Sequence, residues 1–582
     1  MRARAVVATT VLVAGFGLFA LWRSTGGDAT CTGEVRLTIA AAPEIAPVLT
    51  HVSARWAEDA RGGGGECVAV DVTAAAPADV ALAVASGGGV VLAGLTPLAP
   101  ASPVPGSTPT PSPTDAPPAR PAVAIPDIWV PDSTTWLVRV RSTGPDLVPP
   151  QASSVATSPV VLAVPQPAAG ALGWPTQLPT WDAIVSRLTT GEPLRLGVVE
   201  PNRDAVGLAS LVALGAAAAS ASADPQAMTV AMMRALFMGR APGESELLAR
   251  FPTSADPSAL GAALGAAPLA ERSLIAYNSQ RPAVPLAAVY VQPPPPALDY
   301  PYAVMPGIAA ERVRLADELL QALDGDRYVD ELAAVGLRGP DGTAAFTAMP
   351  GAPATITTGH LDGAAVAQAL ATWISVTRPA RMLAVMDVSG SMNLPVPTAG
   401  GATRAQIATE AARQGMMLFD ESWSVGLWAF ATNLNGAADH VEIVPIGPMT
   451  ENRPALVAAL ETVQPDPNGD TGLYDTVLAA YQEVREGWDP AAVNSVVLLT
   501  DGQNDDPNGI TLDELIASLQ TIIDPRYPVQ VIAIGIGDEV SQAELERITT
   551  TTGGGTFIAR DPSAIGPIFL RAISLRPAAE PG

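Results

Sequence analysis

Arg381-Met-Leu-Ala-Val-Met-Asp387-Val-Ser-Gly-Ser391 joins an apolar run to a short polar turn. The run Met382–Met386 is typical of a parallel strand that is buried on both faces. The turn has the pattern Asp-x-Ser-x-Ser, whose alternate positions place one carboxylate and two hydroxyls in one pocket at the carboxyl end of the strand. Because ligands of open α/β sheets bind at that edge, this stretch predicts a fold and a site together.

Two later stretches supply further oxygen ligands. Gly469-Asp-Thr-Gly-Leu-Tyr-Asp475 leads into a predicted helix over Leu473–Glu486, and Thr471 lies in the loop before that helix. Ser495–Leu499 is a second buried strand, which ends in Thr500-Asp-Gly502. A hard divalent ion such as Mg²⁺ prefers about six oxygen ligands. The predicted metal ligands are Asp387, Ser389, Ser391, Thr471 and Asp501.

On these three motifs, residues 381–571 resemble the von Willebrand factor A domain and its metal-ion-dependent adhesion site. The resemblance implies that both turn serines bind the ion directly, and that Thr471 does so when the site is engaged. It implies that Asp387 and Asp501 act mostly through metal-bound water. The ion, Mg²⁺ or else Mn²⁺ or Ca²⁺, would then bind a carboxylate of a partner protein. Asp470 replaces the glycine that is commoner at its position, and either faces solvent or adds negative charge near the ion.

The rest of this region alternates strands and helices, which predicts a doubly wound, mostly parallel, Rossmann-like sheet. Ser541 and Glu544 have the spacing of a capping box at the start of a helix. The other predicted strands are Val425–Ala431, Val441–Ile446, Val529–Ile536 and the edge strand Gly555–Ala559, and the other predicted helices are Ala402–Leu418, Leu512–Ile523, Ser541–Thr549 and Ser563–Ala572.

The preceding region also has an α/β pattern. Val35–Ala41, Pro47–Ala60 and Val68–Val72 form a strand, a helix and a strand, which predicts parallel pairing through a crossover. A Pro-, Ser- and Thr-rich stretch over about residues 97–124 predicts a surface insertion. Further predicted elements are the strands Ser158–Val164, Leu194–Val199 and Leu286–Gln292, and a helix Ala205–Ala219 that Asp204 caps.

Four motifs in this region are similar to those of bacterial extracellular solute-binding proteins, with the molybdate-type proteins as the closest subset. They are Pro126-Asp-Ile-Trp-Val-Pro-Asp132, Ser158-Pro-Val-Val-Leu-Ala-Val-Pro165, Glu200-Pro-Asn-Arg-Asp-Ala-Val-Gly207 and Leu298-Asp-Tyr-Pro-Tyr302.

The similarity covers about Glu34 to Val376 and implies two α/β lobes with a small solute or an anion between them. In such a cleft, free N–H groups at helix amino-termini point at the ligand. The ligand-binding candidates are Ser133, Thr134 and the turn at Asp204–Gly207.

The amino-terminal residues have the pattern expected of a targeting signal. Met-Arg-Ala-Arg precedes the apolar run Ala5–Trp22, which is long enough to span a bilayer and is either an uncleaved anchor or a cleaved signal. Either alternative exports the rest of the chain, so we expect a single-pass membrane protein with its bulk outside the cytoplasm, or a secreted one. The two cysteines, Cys31 and Cys67, each precede a predicted strand, and an even count in an exported chain predicts a disulfide between them.

Composition excludes several classes of function. The formal net charge of −25 disfavours nucleic acid and anionic lipid as partners of the bulk surface. All 32 basic residues are arginine, so lysine-dependent chemistry such as a P-loop or a Schiff base is absent. The three histidines, His51, His360 and His440, are far apart in the sequence. No nucleophile–base pair can be named, and we expect a binding protein and not an enzyme.

The sequence therefore predicts three segments: an anchor or signal with its spacer (1–30), a two-lobed solute-binding-protein-like domain (31–376) and a von Willebrand factor A domain (377–582). The favoured function is an exported, membrane-anchored binding protein that holds a partner's carboxylate through a divalent ion. The alternative is a solute receptor linked to transport or sensing, with the A domain as a regulatory dock.

Overall fold

The computed structural model describes residues 34–62, 67–95, 124–181, 183–184, 195–221, 224–356, 362–417, 419–501, 503–537, 540–559, 568 and 571–573. Among the helices within these ranges, none is both long enough and apolar enough to cross a membrane. The Ala5–Trp22 segment, and nearly all of the Pro-rich insertion, lie outside the described residues.

The amino-terminal region contains two main sheets and a small parallel pair. The first sheet has the order β2-β1-β3-β10-β4, the second has the order β8-β5-β9, and β6 pairs with β7. These strands are β1 (Glu34–Ala41), β2 (Cys67–Ala74), β3 (Ile128–Val130), β4 (Ser153–Ser154), β5 (Val160–Pro165), β6 (Val198–Val199), β7 (Arg240–Ala241), β8 (Ala267–Ala270), β9 (Leu286–Val289) and β10 (Pro301–Val304).

Helices cover these sheets, and several begin where a strand ends. The helix after β1 and the helix after β3 both start at the carboxyl edge of the first sheet. The helices of this region are α1 (Ala46–Gly62), α2 (Pro77–Gly87), α3 (Thr134–Thr143), α4 (Gln166–Ala169), α5 (Ala205–Ala221), α6 (Pro225–Met238), α7 (Glu244–Leu248), α8 (Pro257–Ala262), α9 (Glu271–Ser279), α10 (Ala310–Ala322), α11 (Asp326–Ala334) and α12 (Gly363–Thr377).

The carboxyl-terminal region is built on one six-stranded sheet. Its order is β13-β12-β11-β14-β15-β16, and all neighbouring strands are parallel except β12 and β13. The strands are β11 (Ala380–Asp387), β12 (Ser424–Asn435), β13 (Ala438–Pro448), β14 (Val493–Thr500), β15 (Val529–Ile536) and β16 (Thr556–Ala559).

Helices pack on both faces of this sheet. On one face Met382 and Met386 of β11 lie in a core with α13 (Arg404–Met417) and α14 (Met449–Thr462). On the other face Leu383 and Val385 lie in a second core. The helices of that second face are α15 (Leu473–Glu486), α16 (Leu512–Ile522) and α17 (Gln542–Thr551).

The two regions share a continuous apolar core. Trp373 and Val376 of α12 belong to the same buried cluster as Met382 of β11 and residues of the second lobe, the part of the amino-terminal region built around β5, β9, α5 and α6. Arg234 of α6 donates to Asp420 across the junction at 3.1 Å, with only 4% and 13% of these side chains exposed. The lobes and the A domain are therefore packed against each other and not merely linked.

The structure confirms the predicted fold class and corrects details of it. Of the strand predicted over Leu194–Val199, Val198 and Val199 form β6 and Leu196 makes an isolated parallel bridge to Ala266, while Leu194 lies outside the described residues. The predicted capping box at Ser541 is wrong, since Ser541 makes no side-chain cap bond and Glu544 instead accepts from the Tyr474 hydroxyl at 2.8 Å.

Other differences are of length. The predicted strands Val425–Ala431 and Val441–Ile446 extend into a long hairpin, β12 and β13, that turns at Gly436, whose φ of +70° favours glycine. The helix α14 has no counterpart among the predictions, and its internal Pro454 weakens the helical signal there.

Cys67, the first residue of β2, is buried and is not a free thiol. Cys31 lies outside the described residues. The bridge between these two cysteines therefore stays a prediction.

Candidate metal centre

Two buried aspartates meet at the carboxyl edge of the A-domain sheet. Asp387 is the last residue of β11, and Asp501 directly follows β14. These strands are neighbours in register, with Met386 opposite Leu499, so both strands end at the same place. The two aspartates are 1% and 4% exposed, and each is therefore removed from most of its solvation by water.

The Asp-x-Ser-x-Ser turn folds its three side chains onto one another. The backbone N–H of Ser389 donates to Asp387 Oδ1 at 2.9 Å, and the Ser389 hydroxyl donates to the same oxygen at 2.6 Å. The hydroxyls of Ser389 and Ser391 are 3.0 Å apart. The Thr500 hydroxyl donates to Asp387 Oδ2 at 2.6 Å. The chain thus brings a carboxylate and two turn hydroxyls together, as the motif predicts.

The loop that carries Thr471 is tied to this turn through its backbone. Gly390 N–H donates to the carbonyl of Gly469 at 2.8 Å. A Cβ atom added at Gly390 would come within 2.9 Å of the Pro467 carbonyl, so only glycine allows the two loops to approach so closely. Thr471 itself is 5% exposed and its carbonyl accepts from the backbone N–H of Asp505 at 2.9 Å.

Asn504 holds the start of the helix that follows Thr471. Its Oδ1 accepts from the backbone N–H groups of Leu473 and Tyr474, at 2.8 and 3.2 Å. These are two of the donors that the first turn of α15 leaves without intrahelical partners. The loop after β14 therefore fixes the loop before α15, and the three predicted motifs form one unit.

Burial and charge both act on the Asp387 carboxyl group. Its pKa is raised to about 6, chiefly by burial and next by the charge of Asp501, whereas hydrogen bonds from Ser389 and Thr500 lower it. Arg404, the first residue of α13, donates from Nη1 to Asp501 Oδ2 at 2.7 Å. The site thus carries a guanidinium that the sequence motifs did not predict.

The side chains present fit a hard divalent ion. Their potential ligand atoms are all oxygens, from two carboxylates and three hydroxyls, which is the chemistry that Mg²⁺ and Ca²⁺ prefer. A bound ion would favour the ionised form of Asp387, whose raised pKa otherwise disfavours it. Asp387, Ser389, Ser391, Thr471 and Asp501 are the residues that would hold it.

A second group of carboxylates lies behind the Thr471 loop. Oxygens of Asp439, Asp475 and Asp506 all lie within 4.8 Å of one another. Asp439 accepts from the backbone N–H of Asn433 at 2.8 Å, and Asp475 accepts from that of Ile510 at 2.9 Å. Burial, and then Asp506 and Asp475, raise the pKa of Asp439. These aspartates fix loop backbone and add negative charge to this side of the domain.

The residues predicted for the solute cleft are placed differently. Ser133 caps α3, its hydroxyl accepting from Thr135 N–H at 3.1 Å. Thr134 N–H donates to Asp299 Oδ1 at 2.7 Å, and the Thr134 hydroxyl donates to the other oxygen of Asp299. Asp204 accepts from Gly207 N–H at 2.6 Å. Carboxylates and a hydroxyl of the chain itself therefore bind the helix amino-termini that were predicted to bind an anion.

The same cleft region is acidic. Burial first, and then Glu44 and Asp204, raise the pKa of Asp132 well above its usual value. The pKa of Asp204 is raised to about 7, chiefly by burial, with contributions from Glu244 and Glu44. Arg272 lies 3.9 Å from Glu44 and partly offsets this charge.

Sequence patterns missed four residues that organise these sites. Thr500 and Asn504 sit within or just after a predicted motif, but their hydrogen-bond partners lie on other elements. Asp299 belongs to the motif Leu298–Tyr302, whose residue types do not indicate the contact between Asp299 and Thr134. Arg404 left a usable signal, since a cation in the first turn of a helix opposes the helix dipole and so suggests an acidic partner.

Comparison with known proteins finds a matching family model for each of the two regions. The family model for the von Willebrand factor type A domain matches residues 382–570. The family model for the bacterial extracellular solute-binding protein matches residues 37–338, which is more than half of the chain. Two proteins of Mycobacterium tuberculosis, from strains CDC 1551 and H37Rv and both described as uncharacterized, are 26% identical over 594 residues, covering 94% of this chain and 79% of theirs.

Solved structures show weaker likenesses. A von Willebrand factor type A protein from Catenulispora acidiphila is 20% identical, with a TM-score of 0.27, and the match covers 34% of this chain and 42% of that one. The sulfate-binding protein SubI from Mycobacterium tuberculosis H37Rv is 15% identical, with a TM-score of 0.32, over 53% of this chain and 87% of that one. At such low scores these likenesses carry no argument about ligands.

Both matched regions are of binding type. Von Willebrand factor A domains interact with proteins and commonly hold a divalent metal, and solute-binding domains take small ligands. The chain belongs to the bacterial extracellular solute-binding proteins and carries a von Willebrand factor type A domain on the carboxyl-terminal side of its lobes.

Proposed function

We propose that the A domain binds one divalent ion, Mg²⁺ in the first place and Mn²⁺ or Ca²⁺ as alternatives, and uses it to hold a carboxylate of a partner protein. The observation that carries the proposal is the convergence of oxygen side chains from three loops at one sheet edge, where Asp387 contacts both Ser389 and Thr500.

The mixture of ligands supports binding of an outside carboxylate. Three of the five oxygen side chains are neutral hydroxyls, and one of the two carboxylates, Asp501, is also bonded to Arg404. An ion in such a site keeps much of its positive charge. It therefore attracts a further anionic oxygen, which a partner's Asp or Glu side chain would supply.

We propose that the lobes serve mainly as a scaffold for the A domain. Two observations support this role. Asp299 and Asp204 already accept from the helix amino-termini that would otherwise bind an anion. The continuous core through Trp373 and Val376 joins the second lobe to the A-domain sheet.

The cellular setting and the absence of catalysis are part of the same proposal. The basic amino-terminus followed by the apolar Ala5–Trp22 supports export, with a membrane anchor or after cleavage of a signal. The carboxyl edge of the A-domain sheet at Asp387 and Asp501, called the metal edge below, offers hydroxyls and carboxylates. His440 is stacked on Trp428, and the centroids of the two rings are 4.4 Å apart. We therefore propose an adhesive and not a hydrolytic role for the ion.

The solute-receptor alternative makes a distinct prediction. A receptor would gain stability from a small solute through its lobes, with no need for a divalent ion. A solute that stabilises the metal-free chain would therefore favour this alternative, with the A domain as a regulatory dock.

The test is thermal unfolding of the full-length chain in mild detergent, titrated with Mg²⁺ and with Mn²⁺. A ligand that binds only the folded state at 100 times its Kd should add about 2.7 kcal/mol of stability. We expect the melting temperature to rise with ion concentration in the unmodified chain, and to stay constant in the Asp387→Ala, Ser389→Ala double variant.

The matched control is Asp524→Ala. Asp524 precedes β15 at the opposite edge of the sheet and pairs with Arg526, so its removal should leave the ion-dependent shift intact. A melting temperature that ignores millimolar ion, or that rises equally in the double variant, would rule out the proposed metal site.

A further inference from the structure

Arg404 is held at the metal edge by hydrogen bonds of both its backbone and its side chain. Its backbone N–H donates to the carbonyl of Leu394 at 3.1 Å, and Val396 N–H donates to the carbonyl of Ala402 at 2.8 Å, so the loop after the serine turn closes at Arg404. Its Nη1 donates to Asp501 Oδ2 at 2.7 Å, with 9% and 5% of the two side chains exposed.

This placement brings positive charge into an otherwise acidic setting. Within the described stretches 388–403, 431–439, 463–472 and 503–511, which follow or connect the elements of this region, every side chain with a formal charge is an aspartate. Arg404 follows the first of these loops directly. It also lies in the first turn of α13, where the positive end of the helix dipole disfavours a cation. A buried cation in this position indicates a specific requirement of the site.

The need for a cation at this position is explained by the balance of charge around a bound ion. Without Arg404, the two positive charges of a divalent ion held by Asp387 and Asp501 would be matched by two carboxylates, and the ion would attract a third carboxylate only weakly. The guanidinium of Arg404 raises the local charge by one unit. Like charges repel in a buried site more strongly than in water, so the same guanidinium weakens the hold of the site on the ion itself.

Resting on the proposed function, we propose that Arg404 is a positioning residue that weakens ion binding and strengthens the attraction of the bound ion for a partner's carboxylate. In the metal-free chain the same residue compensates the buried charge of Asp501, which would be costly to leave unpaired. Loss of Arg404 therefore has opposite effects on the two binding steps. A residue with a merely structural role would weaken both steps or neither.

The test compares the full-length chain with Arg404→Gln, which keeps a polar amide but removes the charge, and with Arg404→Met, which fills the space with an apolar chain. Mn²⁺ is the ion, and its Kd is measured by titration calorimetry. Acetate is the carboxylate probe, and its displacement of water from bound Mn²⁺ is followed by the relaxation rate of the water protons.

For both uncharged variants we expect a lower melting temperature without ion, and a Kd for Mn²⁺ that is at least about ten-fold tighter. We expect acetate to bind the Mn²⁺-loaded variants more weakly than the loaded unmodified chain. Arg404→Lys keeps the charge and should stay close to the unmodified chain in both affinities.

Arg453→Gln is the structural control. The guanidinium of Arg453 donates to the carbonyls of Met416 and Phe419, at 3.1 and 2.7 Å, so its loss should lower stability without changing the Kd for Mn²⁺. Unchanged or weaker Mn²⁺ binding by the uncharged variants would overturn the role of Arg404 alone. Failure of the unmodified chain to bind any of Mg²⁺, Mn²⁺ and Ca²⁺ would overturn the proposed function and the role of Arg404 together.

Discussion

The A-domain edge and the cleft of the lobes are two versions of one arrangement, in which polar residues follow the ends of parallel strands. At the A-domain edge, the hydroxyls of Ser389 and Ser391 lie side by side against Asp387. In the lobes, Asp299 instead crosses to Thr134 and accepts from both its N–H and its hydroxyl. The first arrangement gathers oxygen atoms of the kind that fit a cation, and the second uses an acceptor of the chain to satisfy its own donors.

This difference lies in which polar groups already have partners inside the chain. A helix amino-terminus binds an outside anion only while its N–H groups lack partners inside the chain. In the lobes, the N–H groups of Thr134 and Gly207 are already bonded to Asp299 and Asp204. Four predictions test this contrast, beginning with the one of largest expected effect.

The largest effect should come from the buried ion pair of Arg338 and Glu271, which lies in the lobes with both side chains 0% exposed. Arg338 donates from Nε and Nη2 to the two oxygens of Glu271, at 2.7 and 2.8 Å. Arg338→Met should lower the free energy of unfolding by about 3–5 kcal/mol, because it leaves a buried carboxylate unpaired. Urea unfolding measures the loss.

If the lobes act as a scaffold, the same variant should keep its Mg²⁺-dependent rise in melting temperature. A variant that remained folded at low temperature but no longer responded to the ion would show that the lobes shape the metal edge directly, and the contrast between the regions would fail.

The second effect concerns Asp299. Asp299→Ala should cost about 1.5–3 kcal/mol, the usual contribution of hydrogen bonds to a charged group, and it should free Thr134 N–H for an outside anion. Sulfate should then stabilise the variant but not the unmodified chain, as thermal unfolding at constant ionic strength would show.

Asp330→Ala, at an exposed aspartate of α11 in the same region, is the matched control and should gain no response to sulfate. Stabilisation of the unmodified chain by sulfate would mean that the cleft still takes anions, and would favour the solute-receptor alternative.

The third effect is a dependence of ion binding on pH. Burial and the charge of Asp501 raise the pKa of Asp387 in the folded chain to about 6. Because the folded state therefore holds this proton more tightly than the unfolded state, Asp387 adds to the free energy of unfolding of the metal-free chain at low pH. This contribution is lost as the pH rises through 6. Ion binding requires the ionised group, so the affinity for Mg²⁺ should fall by up to about ten-fold for each pH unit below 6.

Titrations of Mg²⁺ between pH 5 and pH 8 measure this slope. Asp204, whose pKa is raised to about 7 in the lobes, provides the comparison. Asp387→Asn should weaken ion binding and flatten its pH dependence, whereas Asp204→Asn should leave both unchanged. A slope that followed Asp204 would contradict the separation of the two sites.

The smallest effect should come from Asp470, whose side chain is exposed next to the buried Thr471. Water and salt screen exposed charges, so Asp470→Asn should change the Kd for Mg²⁺ by less than about two-fold. A larger change in Kd that becomes smaller at high salt would mean that the negative charge of Asp470 attracts the ion.

The contrast also shows how far sequence patterns lead. The limits of α15 and β15 agree with the predicted Leu473–Glu486 and Val529–Ile536 because regular periodicity is a local property. The metal motif was recognisable because its residues directly follow apolar strands. Arg404 and Asp299 act through partners 97 and 165 residues away, and no local pattern encodes such contacts.

Capping illustrates the same limit on a smaller scale. Ser541 and Glu544 have the spacing of a capping box, and so do Thr511 and Glu514, but only the second pair forms the reciprocal bonds. Glu544 bonds to the Tyr474 hydroxyl from another helix instead. The spacing permits the motif, and the tertiary neighbours decide which pair forms it.

The short junction between the regions has a mechanical consequence. Only Arg378 and Pro379 separate α12 from β11, which pairs with β12 on one side and β14 on the other along nearly its whole length. A pull applied at the carboxyl end of β11 and resisted at α12 would run along the backbone of β11, and the hydrogen bonds to β12 and β14 would oppose in shear any sliding of this strand out of the sheet. The chain is therefore arranged to carry tension from its metal edge into its lobes through its central strand.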